Sequence, residues 1–71
     1  MVDSLDLRGI RCPLSWAKAK VRLEQLPCGA ALELILDDAK GAQDIPRAAE
    51  AEGYAVDVHR AQTDWRILIH K

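Results

Sequence analysis

Phenylalanine is absent from this chain, and aromatic residues make up only 4 %, carried by Trp16, Tyr54 and Trp65. Any core must therefore be mainly aliphatic. An excess of charge of one sign is also lacking: 10 basic against 11 acidic residues leave a net charge of −1. That excludes the strongly basic balance of an autonomous nucleic-acid binder, although a local basic patch is compatible with it. No apolar run approaches the ~20 residues of a membrane span. The opening residues Met1-Val2-Asp3-Ser4 have neither the basic nor the apolar region of a secretory signal, so the expected location is cytoplasmic. With 71 residues, one domain spanning 1–71 is expected. A chain of this size buries only ~60% of its unfolded surface, too little to enclose a large substrate cavity. Chemistry must then rest on a few surface groups and on partner proteins.

Cysteine is scarce, with Cys12 and Cys28 alone. A disulfide between them is excluded on geometry. The pattern predicts a helix over residues 13–26, whose ends lie roughly 20 Å apart at the helical rise. A disulfide needs its Cα atoms within about 7 Å. The spacing also matches no C-x-x-C redox or zinc pattern.

What is present is a clean periodicity. Leu5-Asp6-Leu7 alternates and predicts a strand over 4–8, broken at Gly9. In the following helix, Trp16, Ala19, Leu23 and Leu26 share one face, and Pro27-Cys28-Gly29 stops it. Lys18, Lys20 and Arg22 occupy its other faces. Residues 31–37 alternate as a second strand, with Leu32, Leu34 and Leu36 on one side. Asp38-Ala39-Lys40-Gly41 reads as a turn. Asp44 reads as the N-cap of a second helix with Pro46 in its first turn, running to about Glu52 and closed by Gly53. Ile45, Ala48, Ala49 and Ala51 form its apolar side. Residues 54–60 and 65–70 predict two further strands joined by a polar hairpin loop. The order β-α-β-α-β-β predicts an α/β (α+β) two-layer sandwich: a four-stranded mixed sheet with two helices on one face. The first strand pair should be parallel with a right-handed crossover, and the last pair antiparallel.

The stretch Arg8-Gly9-Ile10-Arg11-Cys12-Pro13-Leu14-Ser15 is the chemically distinctive one. Pro is suited to the first position of a helix, which places Cys12 at a helix N-terminus. Free N–H groups and the positive dipole end favour an anion there, and a thiol in such a setting becomes a better nucleophile. Arg8 and Arg11 would add cationic support, and Asp6 can anchor the loop by hydrogen bonding. Cys28 reads as an incidental loop thiol. Asp37-Asp38 is explained by a strand end and a turn better than by metal ligation or acid–base work. His59 and His70, on mixed strand faces far in sequence from Cys12, do not suggest a Cys–His pair. No metal, nucleotide or flavin is called for.

Leu5-Asp6-Leu7-Arg8-Gly9, Cys12-Pro13, Gly29, Asp37-Asp38, Asp44-Ile45-Pro46 and Gly53 together resemble the TusA/SirA-like family of small sulfur carriers, from about Leu5 to Lys71. The resemblance implies the same sandwich fold. It also implies persulfide relay, in which Cys12 takes sulfur from a cysteine desulfurase or rhodanese-type donor and passes it to a DsrE-like or other thiol acceptor protein. Pro13, Arg8, Arg11, Gly9 and Asp6 would support the nucleophile. Direct nucleic-acid contact is not implied, although tRNA thiolation and other sulfur-trafficking routes are among the family's associations. One departure stands out: the family's usual Cys-Pro-x-Pro has Ser15 at its last position here, which restores a backbone N–H and adds a hydroxyl. The motif leaves the pathway open. A non-catalytic binding or regulatory module on the same scaffold is the alternative.

Overall fold

The fold is taken from a computed structural model, which describes residues 2–11 and 14–71. The elements run β1 (Val2–Asp6), α1 (Leu14–Gln25), β2 (Ala31–Leu36), α2 (Ala39–Ala51), β3 (Ala55–Arg60) and β4 (Trp65–His70). They form the predicted four-stranded mixed sheet and two helices. The strand order is β1-β2-β4-β3. β1 is parallel to β2, while β4 is antiparallel to both β2 and β3.

Alternation along the strands sets the core. Leu32, Leu34 and Leu36 of β2 stand beside Ile69, Ile67 and Trp65 of β4 in register, on the face the helices cover. The three leucines and both isoleucines are fully buried. Leu7, just past β1, joins them, and its N–H donates to the Ile35 carbonyl at 2.8 Å. From α1 come Ala19 and Leu23, and from α2 Ile45 and Ala49, all at 0 % exposure. The opposite sheet face is open and mixed. It carries the ion pairs Arg66–Glu33 at 3.7 Å and His70–Asp57 at 3.2 Å.

The second helix departs from its sequence-based boundaries. It starts at Ala39 rather than near Asp44 and contains the segment expected to be a turn. Its N-cap is Asp38, in extended conformation, whose carboxylate accepts the Lys40 N–H at 3.2 Å. The Asp38 carbonyl takes the Ala42 N–H at 3.0 Å. Asp44 is thus a helix-interior residue and Pro46 lies well inside the helix rather than in its first turn. The physical reason is packing: Gly41, Ala42, Ile45 and Ala49 form one buried stripe, and burying it outweighs the poor helix propensity of Gly and Pro. Ala51 is exposed, not core. The helix closes as expected at Gly53 (φ +93°), where Gly53 N–H donates to Glu50 and Tyr54 N–H to Ala49. That is a Schellman cap, and its left-handed residue suits glycine.

On α1 the buried face is Ser15, Ala19 and Leu23, so Trp16 is only half-buried against the core. The strand predicted over 4–8 is shifted towards the N-terminus, to Val2–Asp6. No helix among the described residues is long and apolar enough to cross a membrane.

Candidate functional site

Because β1 and β2 are parallel, both finish at the same end of the sheet. The chain leaving β1 and the chain leaving β2 therefore meet there. Leu7, Arg8, Gly9 and Ile10 form a tight turn in which the Ile10 N–H returns to the Leu7 carbonyl at 3.1 Å. Gly9 has φ +82°, as the third position of a type II turn requires, so this glycine is demanded by backbone geometry. Asp6 braces the turn by accepting the Arg8 N–H at 3.0 Å. Asp37 Oδ1 accepts the Gly9 N–H at 3.0 Å, joining the loop to the end of β2.

A polar hollow of about 610 Å³ opens beside this turn, lined among the described residues by Gly9, Ile10, Arg11, Asp37, Asp38 and Lys40. Arg11 is exposed and makes no ion pair with the described residues. Arg8 behaves differently. Its Nε and Nη2 hold the two oxygens of Asp6 at 3.0 and 2.8 Å. The hydrogen bond from Arg8 lowers the Asp6 pKa to about 2, and Asp6 in turn raises that of Arg8. Of the two arginines expected to support an anion, Arg11 borders the hollow, whereas Arg8 has its charge matched by Asp6.

Cys12 and Pro13, the centre of the sequence-based site, lie outside the described residues. Ser15 N–H donates to the Arg11 carbonyl at 3.1 Å, and the helix is established from Leu14. Ser15 itself is fully buried, and its Oγ has no hydrogen-bond partner among the described residues. The structure brings Asp6, Arg8, Gly9 and Arg11 together at one end of the sheet. It does not bring Cys28 there: that exposed thiol follows α1 at its other end. His70 pairs with Asp57 on the open sheet face. Among the described residues no cluster of His, Cys, Asp and Glu could hold a metal ion.

The family model described as "Sulfurtransferase TusA" matches residues 3–71. The chain belongs to the TusA family. Two curated relatives carry the name "Putative sulfur carrier protein". One, from Archaeoglobus fulgidus, is 38% identical over 71 residues, covering 97% of this chain and 81% of its own. Another, from Methanocaldococcus jannaschii, is 37% identical over 71 residues, covering 99% and 95%. The crystal structure of the SirA-like protein from Desulfitobacterium hafniense superposes with a TM-score of 0.84 at 24% identity, covering 97% of this chain and 95% of that one. At that identity the superposition speaks for the fold.

Within a TusA-family frame, sequence reasoning missed two groups at the site. The sequence presents Asp37 as a strand end, yet it accepts a hydrogen bond from Gly9 in the turn that precedes Cys12 in sequence. Parallel pairing of β1 and β2 carries the signal: in the observed register Asp6 stands opposite Ile35, so the residue after β2 neighbours the turn after β1. The sequence presents Ser15 as a replacement that restores a backbone N–H and adds a hydroxyl, and nothing in its neighbours announces that this polar side chain is buried.

Proposed function

We propose that this protein carries sulfur as a persulfide on Cys12. The observation that supports this most is the placement of the family's Asp-Leu-Arg-Gly-x-x-Cys-Pro run. Its first five residues end β1 and form a braced turn beside an open polar hollow bordered by Arg11 and Lys40. The hollow is open to solvent rather than enclosed, which suits a thiol that must meet other proteins.

The Cys12 thiolate attacks the outer sulfur of a donor persulfide. A new S–S bond forms on Cys12, the donor S–S bond breaks, and the donor leaves as a thiolate. An acceptor thiolate then attacks the outer sulfur of the Cys12 persulfide, and Cys12 departs as a thiolate. No net oxidation or reduction occurs. Thiolate fraction and leaving-group pKa govern both steps, as in disulfide exchange. A cysteine desulfurase or a rhodanese-type protein is the donor class, and a DsrE-like or other thiol protein the acceptor class. tRNA thiolation is one route such a relay serves, and both steps are carried out in the cytoplasm.

Docking must supply specificity. Leu14 and Val21 on α1 are 56 % and 58 % exposed, and a cleft of about 550 Å³ next to them is lined by Leu5, Ala17, Lys18, Val21, Arg22 and Gln25. This partly apolar surface begins two residues beyond Cys12.

The test is direct. The protein is incubated with a cysteine desulfurase, cysteine and pyridoxal phosphate, or with a rhodanese and thiosulfate, and its intact mass is recorded. One added sulfur atom is expected, lost in Cys12→Ala and kept in Cys28→Ala. If no donor produces a Cys12-dependent adduct, the binding-module reading replaces this one.

A further inference from the structure

The adjacent carboxylates Asp37 and Asp38 stand at the junction of β2 and α2, and each faces one flank of the segment that carries Cys12. On the β1 side, Asp37 Oδ1 receives the Gly9 N–H at 3.0 Å across 28 residues of sequence. On the α1 side lies the buried Ser15 hydroxyl, which has no hydrogen-bond partner among the described residues. A Cβ placed on Gly41 would lie 3.7 Å from Ser15 Oγ and 3.5 Å from Asp38 Oδ2. Hydroxyl and carboxylate therefore both lie within van der Waals reach of the same point over the Gly41 backbone. Asp38 Oδ1 accepts the Lys40 N–H, and Oδ2 accepts no hydrogen bond from the described residues. A buried hydroxyl left unpaired is costly, and a carboxylate is the strongest acceptor available to it.

We propose that Asp37 and Asp38 are positioning residues which clamp the Cys12 segment from both sides. Asp37 holds Gly9, and Asp38 accepts the Ser15 hydroxyl proton after a small rotation of either side chain. The role assigned to them, setting the reactivity of Cys12, rests on the persulfide reading above. Neither aspartate touches the reacting sulfur in this scheme. The arrangement depends on Ser15, since a residue without a hydroxyl at that position has no proton to give. Gly41 belongs to it as well, because a methyl group there would be in van der Waals contact with both oxygens. The other charged groups bordering the hollow are Arg11 and Lys40.

The experiment measures alkylation of Cys12 by iodoacetamide against pH in a Cys28→Ala background, alongside urea unfolding. Asp37→Ala, Asp38→Ser and Ser15→Ala each break one side of the clamp, and each is expected to shift the pH profile or lower its plateau about fivefold, the worth of one ordinary hydrogen bond. Serine at position 38 keeps an N-cap but is too short to reach Ser15. Asp37→Asn and Asp38→Asn keep an acceptor oxygen and should stay close to the parent. Gly41→Ala should reproduce the Ser15→Ala profile without loss of stability, because alanine is the better helix former. The Ser15→Ala, Asp38→Ser double variant should be no worse than either single one. The clamp is overturned if the profiles all superimpose on the parent, if the Ser15 and Asp38 effects add, or if the asparagine variants behave like the truncations. Alkylation needs no sulfur donor, so failure of the clamp is distinguishable from failure of the persulfide reading, which shows as an absent mass adduct in the parent.

Discussion

Lys71 reaches back from the end of β4 to cap α1: its Nζ donates to the carbonyls of Leu26 and Leu23, each at 2.6 Å. The backbone holds it in place, with Lys71 N–H on Ala30 at 2.9 Å and the Lys71 carbonyl receiving the Gly29 N–H at 3.2 Å. The last carbonyls of a helix have no intrahelical partner, and a cation there also complements the dipole. Lys71→Met should keep the stem and lose the charged donor, costing about 1–2 kcal/mol. The check is urea unfolding, with a lower midpoint at unchanged slope. A Met variant that unfolds like the parent would mean that water serves these carbonyls equally well.

The two sheet faces differ in energetic weight. Leu34 sits at 0 % exposure on the helix-covered face, with Leu5 of β1 and Ile67 of β4 as cross-strand neighbours. Leu68 is half-buried on the open face, beside Glu33 and Asp57. Leu34→Ala should cost about 3 kcal/mol, most of the stability a domain this small commands. Leu68→Ala should cost about 1 kcal/mol or less. Circular dichroism through a denaturant titration separates them, and equal losses would show that the open face is covered in solution.

The two thiols occupy opposite ends of α1 in sequence. Cys28 is exposed and follows the C-terminal end. Cys12 precedes the N-terminal end. Iodoacetamide at neutral pH should therefore modify Cys12 faster, as read by peptide mass mapping over time. Equal rates at the two sites would deny any activation of Cys12 by the helix terminus.

Much of this was legible because alternation is a strong signal. β2 and β4 follow from Leu32, Leu34 and Leu36 and from Trp65, Ile67 and Ile69 almost residue for residue. The start of α2 was not, because Gly41 and Pro46 argue locally against a helix while their value is tertiary. Gly41 lies against Ser15 of α1, a contact that no local pattern reveals. Trp16 illustrates the same limit: its spacing fits the buried stripe, but the helix is rotated so that Ser15 takes the central place. At the candidate site, the turn glycine and the Asp6 brace were readable from neighbours in sequence. The Asp37–Gly9 bond required the parallel pairing of β1 and β2 to be followed through to the strand ends.

That Arg8 belongs to Asp6 has consequences for pH and for reactivity. The Asp6 carboxyl titrates at about 2 instead of 3.8 because Arg8 donates to it from side chain and backbone. Its folded-state pKa is depressed, so whatever stability the pair adds is present above the unfolded value and is lost as pH falls through about 2. Nothing should change between neutral pH and mildly acid conditions on this account. Both groups are well exposed, so the stability share is small. The better observable is the Asp6 carboxyl carbon shift in an NMR titration, which Arg8→Met should return towards 3.8 while leaving the backbone contribution in place. The same variant bears on sulfur chemistry. With its guanidinium already matched by Asp6, Arg8 has little charge to offer an anion at Cys12, whereas Arg11 is unpaired among the described residues. Arg11→Met should slow loading of Cys12 from a persulfide donor more than Arg8→Met does. A larger loss with Arg8→Met would show that the Asp6 pair opens when the donor docks and that Arg8, once released, is the cation facing the sulfur.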